Sequence, residues 1–325
     1  MDKLKRFAEL YQAPEFILPY LNYFFTDKEI EIILALGQDK LSVLGAAERF
    51  KINEDEARLM LEDLYQKHVL NREQVDGKTI YPLGDFYNKL DYQSKFGENY
   101  FALDKIVRNQ LDDWCYEVYR KKMLPYIEKL RRHEEVERKP ETFELVDEFY
   151  KMIDSTREIR LVPCNCRRIA QNCDKPTGTC MAFDGSITDR TGGQPLTKDE
   201  AKEVVRLAHK KGLMHQINID WRTNRPTWMC NCCSCCCYPT RLALELGCKG
   251  VFPVVQYQAR HNEETCTHCG VCTKRCHFSA FACDDTEVTV NGKIRKRVSL
   301  NPQKCWGCGI CESTCPSQSI TMQKI

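Results

Sequence analysis

Cys266, Cys269, Cys272 and Cys276 follow the spacing C-x2-C-x2-C-x3-C. Cys305, Cys308, Cys311 and Cys315 repeat it, with Pro316 after the last thiol. Three thiolates at such intervals can wrap one corner of an iron–sulfur cube while their backbone N–H groups point at its sulfides. A fourth ligand must then come from elsewhere. Zinc is the competing chemistry, since paired C-x2-C motifs also build tetrahedral thiolate sites. Zinc sites usually take two separated pairs of thiolates. Here each motif carries three evenly spaced thiols plus one more, with Gly270, Gly307 and Gly309 between them. The spacing favours iron and sulfide.

A second concentration of thiols lies upstream. Cys164, Cys166, Cys173 and Cys180 come first, and some 50 residues later follow Cys230, Cys232, Cys233, Cys235, Cys236 and Cys237. Both groups open with Cys-Asn-Cys. Successive side chains of an extended segment face opposite sides. Cys232/Cys233 and Cys235/Cys236/Cys237 can therefore serve two metal centres flanking one strand. Two cubes take eight ligands, which leaves two of these ten thiols over. The expectation is one or two further [4Fe–4S] clusters, with a zinc site or a reactive dithiol as competing readings. Spacing does not fix the ligand pairing. Arg167 and Arg168 either place positive charge beside such a cluster, raising its potential, or are plain surface arginines. Cys115 falls in a helical stripe and reads as a buried, inert thiol. Cys248 and Cys283 receive no role.

The C-terminal motif pair resembles bacterial-type ferredoxins with two [4Fe–4S] clusters, in which each motif lends its last cysteine to the other cluster. The resemblance implies one cluster held by Cys266, Cys269, Cys272 and Cys315, and another held by Cys305, Cys308, Cys311 and Cys276. His277 stands where the second copy has proline, and either alters hydrogen bonding near its cluster or, as the favoured reading, sits on the surface. The 28 residues between Cys276 and Cys305 exceed what a minimal ferredoxin needs. Alternation around Asn291-Gly292 marks an inserted β-hairpin there. From about residue 26 onward the chain is similar to multi-cluster ferredoxin proteins of anaerobic microbes. These combine a winged-helix start, a C-x-C-R segment, a Cys-Asn-Cys-Cys-x-Cys-Cys-Cys segment and a ferredoxin end. That similarity implies redox work and names no substrate.

The elements that must position these thiols follow from local signals. Thr26-Asp-Lys-Glu29 is a capping box ahead of a first helix. A second short helix spans Leu41 to Phe50, and Asn53 caps a third. Val69 to Pro82 reads as two short strands around Asp76-Gly77. Three helices and a hairpin look like a winged helix. Residues 53 to 68 carry a net charge of −3, which would repel phosphates, so docking is favoured over DNA binding. From Asp85 to about Thr156 the pattern is helical. One apolar stripe runs from Phe101 and Ile106 through Val107, Leu111, Trp114, Val118 and Tyr119, with a break or kink at Pro125. A second runs from Phe143 through Leu145, Val146 and Phe149 to Met152. Thr197-Lys-Asp-Glu200 caps a helix ending before Gly212. Leu213 to Ile217 and Thr227 to Met229 read as short strands, and Pro239 opens one more helix.

The fold class is thus α+β in four parts. These are a winged-helix-like domain (1–90), a helical connector (91–157), a cysteine-rich α/β metal domain (158–258) and a dicluster ferredoxin-like domain (259–325). The 325-residue length suits two or three domains, and a net charge of +2 gives no reason to expect a polyanion partner. The charged N-terminus lacks a signal-peptide core, and no stretch reaches the ~18 apolar residues of a membrane span. With 21 cysteines, the expected setting is a reducing, oxygen-poor cytoplasm, since oxidants damage exposed cubes. No G-x-G-x-x-G or G-x-x-x-x-G-K-[ST] is present. The expected function is single-electron transfer, as a carrier or as a subunit of an oxidoreductase, with a redox protein or larger complex as partner. No catalytic residue is assigned. The alternative is a redox-sensing winged-helix regulator.

Overall fold

A computed structural model describes residues 3–325, which form two compact units. The first comprises residues up to Val118 together with 168–170; the second comprises Tyr119–Arg167 and Gln171–Ile325.

In the first unit α1 (Lys3–Tyr11), α2 (Asp27–Leu36), α3 (Val43–Phe50) and α4 (Glu54–Gln66) precede a hairpin of β1 (Glu73–Val75) and β2 (Lys78–Ile80). Thr26 and Asn53 each accept from the N–H three residues on. Glu29 and Glu56 reach back to the cap N–H, so both helix starts are satisfied reciprocally. Such a cap contributes about 1 kcal/mol. Asp76 and Gly77 both take positive φ, 48° and 73°, which lets β1 and β2 meet through two residues. Leu41 bridges Tyr81 just beyond β2. Next come α5 (Phe86–Phe96) and the 27-residue α6 (Lys105–Arg131), whose residues from Tyr119 on belong to the second unit.

Of the break or kink expected at Pro125, the break is absent. Pro125 lies inside α6 and does not end it. Proline removes one hydrogen bond, and the remaining ladder carries the helix on to Arg131. The stripe is also narrower than expected, because Phe101 and Ile106 stay exposed while Val107 and Leu111 are buried. Residues 141–144 are not helical either. They form the edge strand β3 (Glu141–Glu144), and the helix begins only at α7 (Val146–Ser155). Sheet pairing decides a four-residue segment that periodicity alone cannot.

In the second unit, six antiparallel strands form a sheet in the order β3-β7-β8-β5-β4-β6. The added strands are β4 (Ile159–Pro163), β5 (Gly178–Phe183), β6 (Gln194–Pro195), β7 (Met214–Asn218) and β8 (Trp228–Cys232). A short helix α8 (Asn165–Ala170) follows β4, α9 (Lys198–Lys210) precedes β7, and α10 (Tyr238–Glu245) follows β8. α7 and α9 share one core with Ile159, Met181, Phe183, Ile217 and Met229. Because strand side chains alternate, Cys180, Cys230 and Cys232 must point to the other face.

The remainder carries β9 (Tyr257–His261), α11 (Val271–Arg275), β10 (Phe281–Val290), β11 (Lys293–Leu300), α12 (Ile310–Ser313) and β12 (Ile320–Lys324). β9 pairs with β12, and β10 with β11 through the turn at Asn291 and Gly292. The hairpin expected between the cysteine motifs is present, and it starts earlier than its alternation suggested. Among the described residues no helix is long and apolar enough to cross a membrane.

Candidate metal centres

The eight C-terminal thiols line two separate pockets. Cys266, Cys269, Cys272 and Cys315 line one, with Gly270, Val298 and Ile320. Cys276, Cys305, Cys308 and Cys311 line the other, with Phe278, Phe281 and Trp306. Each motif therefore sends its last cysteine to the other pocket. Backbone N–H groups donate to four of these sulfurs. They run from His268 to Cys266 (3.3 Å), Ala280 to Cys276 (3.2 Å), Ser319 to Cys315 (3.3 Å) and Ala259 to Cys305 (3.4 Å). Donors aimed at sulfur favour thiolates and tune a cluster's potential. Gly307 adopts φ +71°, and a Cβ there would lie 2.3 Å from the Tyr257 carbonyl oxygen. Only glycine lets β9 approach this loop.

The ten central thiols divide six and four. Cys164, Cys166, Cys180, Cys230, Cys232 and Cys237 gather on the sheet face away from α7 and α9, at the starts of two helices. Cys164 and Cys237 occupy the N-cap positions of α8 and α10. Helix N-termini favour negative charge. Cys232 and Cys237 are 3.4 Å apart, and Cys232 reaches Gln216 Oε1 at 3.3 Å. Hydrogen bonds from Cys180 and Cys232 pull Cys230 down to about 5. Cys237 is lowered chiefly by Cys232, with Thr240 adding. Cys164 is pushed up, first by its hydrogen bond with Cys180 and then by burial. Buried thiols in such contact cannot all ionise without a cation among them. The donor set therefore fits a metal cluster.

Cys173, Cys233, Cys235 and Cys236 form the second group, with all four sulfurs within 4.8 Å of one another. The hydrogen bond from Cys236 pulls Cys233 down to about 3, with Arg167 adding. Cys233 to Cys237 lie in the turn between β8 and α10. The expectation that vicinal cysteines serve different centres therefore acts through a turn, not along an extended strand. That turn directs 233, 235 and 236 one way and 237 the other.

Arg167 lies among these thiols and is only 2% exposed. Its Nη1 donates to Pro176 O and Thr179 Oγ1, and its Nη2 to Asn231 O at 2.6 Å. Nε is buried without a partner. Its electrostatic partners are the Cys164, Cys233 and Cys180 thiols. A buried guanidinium of this kind needs negative charge nearby, which thiolate-bound metal supplies. Arg168 is not part of this set and lies 4.5 Å from the centre of the Phe101 ring.

Three features escaped the sequence reading. Asn231, fully buried, donates to Thr179 O and accepts from His215 Nδ1 at 2.6 Å. His215 Nε2 lies 2.9 Å from His209 Nδ1, and His209 Nε2 meets Ser313 Oγ. The repeated Cys-Asn-Cys was the only available signal for Asn231. Contrary to expectation, His277 is half-buried, with Nε2 donating to Gly212 O at 2.7 Å and Nδ1 3.1 Å from Ser234 Oγ. Those partners, 65 and 43 residues away, were beyond any local pattern. Cys115 and Cys248 are buried, and Cys283 is exposed on β10.

Two thiol quartets with crossed fourth members, on glycine-turned loops, define a ferredoxin-type iron–sulfur module. Residues 265–319 match the family of 4Fe-4S dicluster domains, so the C-terminal region is such a domain. Among curated proteins, none matches the chain.

Proposed function

We propose that this protein transfers single electrons, as a carrier or as a subunit of a cytoplasmic oxidoreductase working in an oxygen-poor setting. Its partner is a redox protein or a larger complex. One observation carries the reading: a dicluster domain and a further buried thiol set share one compact unit. Cys266, Cys269, Cys272 and Cys315 would hold one cluster, and Cys276, Cys305, Cys308 and Cys311 the other. The central six thiols would hold a third, with Arg167 supplying compensating charge. Iron–sulfur clusters of this type accept and release one electron at a time. The chain's own residues bind them and donate hydrogen bonds to their thiolates.

Residues 1–90 read as a winged-helix docking module, with 91–157 as connector, 158–258 as metal domain and 259–325 as ferredoxin domain. The helix–hairpin order of the first unit also suits a redox-sensing regulator. The acidic α4 opposes that alternative, because it would face phosphates with like charge.

Iron and acid-labile sulfide, measured on oxygen-free protein with EPR after dithionite reduction, test the proposal. Roughly twelve irons per chain are expected from three cubes, and about four or fewer would defeat it. A gel shift at low salt tests the alternative, with no shift expected.

A further inference from the structure

We propose that Cys173, Cys233, Cys235 and Cys236 hold a single tetrahedral zinc ion and not a further iron–sulfur cube. Cys173–Cys233, Cys173–Cys236 and Cys235–Cys236 are each 3.8 Å apart, and all four sulfurs lie within 4.8 Å of one another. The centre of a regular tetrahedron lies 0.61 of an edge from each vertex. Three of the six edges are 3.8 Å and the rest no longer than 4.8 Å, so a quartet closing to a regular tetrahedron on the shorter edges would place a central ion about 2.3 Å from each sulfur, which is the zinc–thiolate bond length.

The same molecule supplies the contrast. In a cube each thiolate binds a different iron, so the inorganic core holds the sulfurs apart. The C-terminal quartets surround pockets. Among the described residues, the central quartet is the one group of three or more such ligand atoms that comes mutually so close. The six-thiol set is a string of contacts, not a compact tetrahedron. Four thiolates complete zinc's coordination and leave no position for substrate, so the site is structural.

Its position says what it would brace. Cys173 comes from the loop between α8 and β5, and the other three from the turn after β8. Asn172 Nδ2 already donates to Cys235 O at 2.9 Å. Ser234, inside the quartet, meets His277, the neighbour of Cys276. The ion would fix the turn that orients this hydrogen bond. It would also reduce the central domain's electron-carrying centres to one. The inference stands on sulfur geometry and does not require the electron-transfer reading.

The test uses the full chain, purified without oxygen, as wild type, Cys173→Ser and Cys235→Ser. Zinc and iron are measured by mass spectrometry and sulfide by colorimetry. We expect about one zinc in wild type, lost from both variants while iron and sulfide stay unchanged. Loss of roughly four irons with their sulfide would overturn the proposal in favour of a cube. Loss of one iron without sulfide would overturn zinc. Should the variants not fold, wild type grown with cobalt decides. Tetrahedral cobalt–thiolate absorption is expected, and its absence together with absence of zinc overturns the site. Too little iron for the C-terminal clusters would sink the electron-transfer reading and leave the zinc result intact.

Discussion

The dicluster domain and the central domain both concentrate thiols, yet they encode their sites in opposite ways. In the C-terminal domain three neighbours in sequence are neighbours in space, and one distant thiol crosses over. In the central domain, adjacent residues part company. Cys232 and Cys237 join the six-thiol set, while Cys233, Cys235 and Cys236 join the quartet. Local spacing reports a site only when one loop builds most of it. Where strands and turns interleave, the pairing belongs to the fold.

The largest effects should come from testing the crossover. Cys266→Ser and Cys315→Ser, 49 positions apart, should each remove the same cluster, with loss of about four irons and of the same EPR signal. Loss of different signals would break the crossed pairing. Next comes a pair of adjacent residues. Cys237→Ser should lower iron and sulfide and spare zinc. Cys236→Ser should lower zinc and spare iron. Identical metal losses from both would mean that the ten central thiols form one site, and the contrast between the domains would collapse.

How far each region was legible follows from the same distinction. The caps at Thr26, Asn53 and Thr197 and the turns at Asp76-Gly77 and Asn291-Gly292 are local chemistry, and all are present. The eight C-terminal thiols were legible because triplet spacing is a loop property. β3 was missed because its four residues take their conformation from pairing with β7, 71 residues away at Glu144 and His215. The six-four division was open in the sequence, because it depends on which sheet face Cys180 and Cys230 share. Arg167 was named, but its burial was not, since nothing local distinguishes it from Arg168.

A smaller effect should follow from that buried charge. Arg167→Met removes a positive charge beside the central thiols while keeping much of its bulk. A more negative, reduced centre gains most from a nearby cation, so the variant's central potential should fall. At an effective dielectric near 20 the lost Coulomb term is a few kcal/mol, on the order of 100 mV for one electron. The C-terminal potentials should move far less. Redox titration followed by EPR checks this. An unchanged central potential would mean that the guanidinium faces no redox-active centre, which would weaken the claim that the two domains share electron transfer.

The smallest effect concerns the link between the regions. Asn231 donates its amide hydrogen to Thr179 O, so its Oδ1 must accept from His215 Nδ1–H. His209 Nδ1 shares a hydrogen with His215 Nε2, and His209 Nε2 meets Ser313 Oγ, whose hydroxyl also donates to Ile310 O at 3.3 Å. The shared hydrogen between the rings excludes two imidazoliums, and burial favours neutral rings. Burial holds His215 down to about 3, with His209 adding, and burial holds His209 down to about 4, with Arg275 adding. Both folded values lie below the ordinary 6.5, so the unfolded chain takes up protons first as pH falls. Stability is therefore present above about 6.5 and is lost progressively as pH falls from there toward 3. At pH 5 the fully buried His215 alone should cost about 2 kcal/mol. His215→Gln should flatten this slope between pH 7 and 5, read from denaturant midpoints by tryptophan fluorescence. An equal slope in both proteins would show that His215 titrates normally in the folded state. In that case the hydrogen-bonded run from Ser313, between cluster cysteines, to Asn231, between central cysteines, would not be a neutral seam.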